Sequence, residues 1–141
     1  MEVLVLRLSP GEDLRQVLSQ VLQQRSERAA CVLSAVGSFS RAVLRYAGEA
    51  DGTVLAGPLE LMSLSGTLSV DGVHLHSSVS DAQGQVRGGH VMPGCVVRTT
   101  AEIVIGLLAE WEFRREMDPK TGYLELVARS AVGQRKVGDI P

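Results

Sequence analysis

The segment LELMSLSGTLSVDGVHLHSSVSD, residues 59–81, decides the fold. Its first half, Leu59 to Val70, is a run of apolar and small polar residues that reads as a long strand. Asp71-Gly72 is a dipeptide favoured in tight hairpin turns, where glycine accepts the positive φ that most residues avoid. Beyond the turn, Val73, Leu75 and Val79 alternate with His74, His76, Ser78 and Ser80, the period of a strand with one buried face. A strand, a tight turn and a second strand predict an antiparallel sheet.

Working outward, EVLVLRL (2–8) reads as a first strand, and a helix follows it. Ser9 is placed as its N-cap, Pro10 at the first helical position and Glu12 where a capping box needs a carboxylate. Leu14, Val17, Leu18, Val21 and Leu22 recur at helical spacing and make one apolar face. AACVLSAVGSF (29–39) and RAVLRYA (41–47) read as two strands joined around Gly37 and Ser38. A turn is expected within EADGTVLAG (49–57) and another at AQGQ (82–85), while GGHVMPG (88–94) is too rich in glycine for a regular strand throughout. CVVRTTAEIVIGLL (95–108) is most economically a buried strand, and EWEFRREMDPKTGYLELVA (110–128) a hairpin turning at DPKTG. The expected architecture is α+β: a mainly antiparallel sheet with an N-terminal amphipathic helix packed on it, over residues 1–128, then a C-terminal tail, 129–141.

At 141 residues the chain fits one domain, and its 4% aromatic content requires an aliphatic core. The formal net charge of −2 and pI near 5.9 argue against direct DNA binding, because phosphate neutralisation demands a basic excess. No segment reaches the length of apolar sequence that crosses a membrane, and the N-terminus lacks the basic start of a signal peptide. Cys31 and Cys95 sit in apolar surroundings and read as free thiols of a reducing compartment, so a cytoplasmic location is expected.

All three histidines, His74, His76 and His90, fall within residues 72–91. Residues two apart on a strand point to one side, about 7 Å apart, so His74 and His76 can serve one ion without strain. His90 returns after a hairpin-like excursion, behind glycines that permit close backbone approach. Three imidazoles form an open zinc-type ligand set with a fourth position left for water or substrate; nickel, copper and iron accept the same ligands. The competing reading is three polar residues on a solvated strand and loop. Glu102, a carboxylate inside TTAEIVI, is a candidate general base or a partner orienting an imidazole, and equally a partner for an arginine at a subunit contact. No nucleophile elbow, phosphate loop or dinucleotide fingerprint is present.

The blocks LSPGEDL, SAVGSFSRAVLRY, GPLELMSLSGTLS, GVHLHSSVSDAQGQVRGGHV and GCVVRTTAEIVIG resemble, in order, those of the plants-and-prokaryotes-conserved (PPC) domain, from about Leu4 to about Leu126. In plants this domain accompanies AT-hooks in nuclear proteins; here the domain reads as a stand-alone member, with no RGRP-like basic core. The resemblance implies a homotrimer assembled through its sheet, with His74, His76 and His90 as a metal site for a divalent ion, zinc foremost. It also implies a protein-contact segment at Gly57, Pro58, Leu59, Glu60, Leu61 and Met62, although Pro58 stands where the plant pattern has arginine. Two functions follow as expectations: a metal-dependent activity on a small molecule, or a non-enzymatic, transcription-associated interaction module. DNA binding by the trimer would need a basic face drawn from Arg41, Arg45, Arg87 and Arg98.

Overall fold

Strand β1 (Glu2–Leu8) leads into helix α1 (Leu14–Gln20) and a 3₁₀ turn (Val21–Gln24) in the computed structural model, which describes residues 1–131. Strands β2 (Ala29–Arg45), β3 (Thr53–Ser69), β4 (Gly72–Ser80), β5 (Val86–Val91), β6 (Val96–Leu107), β7 (Trp111–Asp118) and β8 (Tyr123–Ser130) follow. The tail expected at 129–141 lies outside the described residues from residue 132 on.

Six strands form one antiparallel sheet in the order β1-β6-β2-β3-β4-β5. The end of β2 also pairs with β5, Leu44 with Val91 and Arg45 with His90, so β2, β3, β4 and β5 close into a ring. Strands β7 and β8 make a separate two-stranded ladder. The domain is thus α+β and mainly antiparallel, with the helix laid on the sheet through its fully buried Leu14 and Leu18. Phe39, Leu44, Leu68, Leu75, Ile103, Ile105 and Leu107 fill the aliphatic core. On β4, Val73, Leu75 and Val79 point into it, which turns His74 and His76 to the opposite face.

Two local expectations are corrected. The helix is capped by Asp13, whose carboxylate accepts from the Gln16 N–H at 3.0 Å, and not by Ser9. Glu12 does accept from the Ser9 N–H, as a capping box requires, but Gly11 and Leu14 donate to Val97 and Cys95. Those bonds tie the turn to the β6 region and delay the helix. Residues 29–45 form one strand and not two. Gly37 marks a close crossing with β6, where a Cβ would sit 2.3 Å from the Thr100 carbonyl, and not a turn. Within GGHVMPG, Gly88 to Val91 belong to β5 and the strand ends there, so the segment is not strand throughout, as expected. Gly88 and Gly89 serve the packing of β5 against its neighbours.

Cys95 is buried, with the Val43 N–H donating to its sulfur at 3.3 Å; Cys31 is half-buried and both are free thiols. Among the described residues no helix is long and apolar enough to cross a membrane.

Candidate metal centre

The hairpin and the ring closure together assemble the histidines. The Asp71-Gly72 turn sets β4 against β3, placing His74 opposite Thr67 and His76 opposite Ser65. The next hairpin sets His90 of β5 directly opposite His76, and the closing pair sets Arg45 of β2 opposite His90 from the other side. Gly89 makes that closure possible, because a Cβ there would meet the Arg45 carbonyl at 2.6 Å.

The ring centroids lie 5.0 Å apart for His74 and His76, 5.1 Å for His74 and His90, and 5.6 Å for His76 and His90. One ring nitrogen from each lies within 4.8 Å of the others. His74 Nε2 and His76 Nε2 are 3.2 Å apart. Two nitrogens bound tetrahedrally at about 2.0–2.1 Å from zinc lie roughly 3.3 Å from each other, so this pair already has ligand spacing. His90 Nδ1 is buried without a hydrogen-bond partner among the described residues, a costly state that a bound ion would relieve. The donor set fits a divalent metal.

Electrostatics favour the neutral form of His90 and His74. Desolvation, then the nearby Arg45 and Arg15 guanidiniums, push the His90 imidazole down to about 4. Burial, followed by Arg115 and His76, lowers His74 as well. Neutral imidazole is the ligand form, so protons compete weakly for these two sites near pH 7.

Arg115 of β7 donates to Thr67 Oγ1 at 2.7 Å and lies 3.4 Å from His74 Nδ1. Arg15 donates to the Val91 carbonyl at 3.0 Å. These arginines, with Arg45, Asp71, Tyr123 and Glu125, line a cleft of about 660 Å³ that opens onto His74 and His90. Sequence reading did not bring Arg15 or Arg115 to the site, since only the docking of the helix and of the β7–β8 hairpin places them there. Glu102 is exposed on β6, opposite Arg7 of β1 and Val36 of β2, and is not among the residues lining the cleft. Residues 57–62 lie in β3, where Leu59 and Leu61 are buried while Pro58, Glu60 and Met62 face outward.

Residues 1–109 match the Plants and Prokaryotes Conserved (PCC, also PPC) domain. The chain belongs to this family. The PPC match ends before β7, so the hairpin carrying Arg115 lies beyond it. A bifunctional protein GlmU of Synechococcus is 49% identical over 133 residues, which cover 94% of this chain and 21% of that protein. The chain thus spans about a fifth of the length of the curated relatives it matches first. Among solved structures, a hypothetical protein from Salmonella superposes with a TM-score of 0.89 at 44% identity, covering 93% of this chain and 95% of the other. A metal-containing protein from Archaeoglobus fulgidus superposes with a TM-score of 0.75 at 28% identity, covering 89% and 92%.

Proposed function

We propose that this PPC domain binds one divalent metal ion through His74, His76 and His90, with zinc the foremost candidate, and that the bound site acts on a small molecule. The observation that carries this reading is the convergence of three closely spaced imidazoles beside an open cleft. The metal content of the Archaeoglobus relative supports it. A divalent ion held by three imidazoles supplies Lewis acidity at a position open to ligands. The chain's own residues do the rest: His74 and His90 face the cleft, Arg15 and Arg45 set a positive field there, and the hairpin shields one side from water.

Assembly as a homotrimer belongs to the same proposal. Val3 and Val5 on β1 and Leu33 and Val36 on β2 are large apolar side chains left exposed. Free cysteines suit a cytoplasmic setting. A second reading, a protein-contact module, draws on the outward row of Pro58, Glu60 and Met62, an exposed strip on β3.

Elemental mass spectrometry on untagged protein prepared without chelator tests the metal. About one ion per chain is expected, and none in the His74→Ala/His76→Ala variant. A wild-type protein that takes up neither zinc nor nickel when offered them overturns the metal reading and leaves the interaction module.

A further inference from the structure

Resting on that reading, we propose that the cleft beside the histidines is a binding site for a small oxyanion of more than one negative charge, gripped by Arg15, Arg45 and Arg115.

The charge inventory of the cleft points to an anion. Three guanidiniums line it against two carboxylates, and one of these, Asp71, is already paired with Arg114 at 3.2 Å. Among the described residues, no carboxylate lies within ion-pair distance of Arg15, Arg45 or Arg115. Arg25, Arg28, Arg114 and Arg129 have carboxylate partners. The other arginines without one among the described residues, Arg7, Arg41, Arg87 and Arg98, are exposed to water, whereas Arg15, Arg45 and Arg115 are half-buried. Asp13 and Glu125 favour the charged forms of Arg15 and Arg115 from a distance but form no ion pair with them. Partly buried cations held together with so little direct pairing repel one another and lose hydration, a cost that a ligand's oxygens offset. The volume, about 660 Å³, is that of a small-molecule site.

The guanidiniums are also held for the task. Arg15 spends one donor on the Val91 carbonyl and keeps its others. Arg115 is anchored by Thr67 and rests its second nitrogen against His74 Nδ1. Arginine only donates, so Nδ1 is the acceptor and the proton of neutral His74 sits on Nε2. Ligation through Nε2 moves that proton to Nδ1, where it faces the arginine donor head-on. Metal uptake therefore frees Arg115 for the anion, and it adds positive charge to the same cleft. Anion affinity should depend on the metal.

Isothermal titration with malonate and, separately, with inorganic phosphate tests this on the full chain, zinc-loaded and chelator-treated. At least one probe should bind the zinc-loaded protein at least ten-fold more tightly than the chelator-treated one. Arg45→Gln should weaken that binding at least ten-fold while the zinc stoichiometry, measured independently, stays at the wild-type value. Chloride-level affinity for both probes, or equal affinity in wild type and Arg45→Gln, overturns the anion site and leaves the metal reading intact. Failure of zinc uptake shows before any anion is added and sinks the metal reading. In that case, binding to the chelator-treated protein that Arg45→Gln abolishes would still establish the arginine site. The preference between malonate and phosphate identifies carboxylate or phosphoryl as the recognised group.

Discussion

His76 and His90 are direct cross-strand partners in the β4–β5 ladder, and Arg45 pairs with His90 from β2 on the other side. The imidazole of His90 is therefore fixed by two ladders at once. Any change in how closely β5 approaches β2 moves a candidate ligand.

Gly89 is where that dependence is most exposed. A methyl group there would lie 2.6 Å from the Arg45 carbonyl, a backbone atom that cannot swing aside. At neighbouring Gly88 it would meet the Ser77 carbonyl at 3.1 Å, a milder crowding. Gly89→Ala should cost about 1–3 kcal/mol in urea unfolding and weaken zinc binding at least ten-fold. Gly88→Ala should lose less of both. Equal zinc affinity in the two variants would mean that the β2–β5 closure does not position His90.

Acid should destabilise the metal-free protein through the same residue. His90 titrates near 4 when folded and near its ordinary 6.5 when unfolded. Between those values the unfolded chain takes up a proton that the folded one refuses, so stability falls as pH drops from about 6.5 toward 4. The lowered value of His74 adds to the trend. Melting temperatures from pH 7 to 4.5 should therefore fall more steeply for wild type than for His90→Gln. Parallel profiles would contradict the neutral, desolvated state of His90.

The core face and the histidine face of β4 were legible from alternation alone, because one buried side imposes period two on Val73, Leu75 and Val79. The grouping of the three histidines was legible for the same reason, helped by a turn dipeptide of known geometry. Gly37 was misread because a glycine that permits a close crossing looks, in sequence, like one that permits a turn. The helix start slid from Ser9 to Asp13 because bonds from Gly11 and Leu14 to the β6 region carry no local signal. Arg15, Arg45 and Arg115 come from a helix, the ring-closing strand and the distal hairpin, and their meeting is purely tertiary.

The proposed trimer would draw on apolar residues left exposed on the sheet. Val36 on β2 is 57% exposed and Val5 on β1 is 69% exposed, on strands that both flank β6. Light scattering should give three times the chain mass for wild type, and Val36→Glu should shift it toward the monomer, since a charge in an apolar contact is left unpaired. A wild-type monomer at micromolar concentration would remove the trimer.

Arg115 sets the last expectation, and its sign is informative. The guanidinium lies 3.4 Å from His74 Nδ1 and its charge lowers the imidazole's proton affinity. A second positive charge arriving as a metal ion meets the same repulsion, and ligation through Nε2 also breaks the Arg115 contact. Removing the side chain relieves both costs. Arg115→Ala should therefore bind zinc more tightly than wild type, by about three- to ten-fold, the scale of one hydrogen bond. Competition against a chromogenic chelator at pH 7.5 measures it directly. If instead Arg115 supported the site by packing against His74, the variant would bind zinc more weakly, and the arginine's charge would not be the dominant effect on ligation.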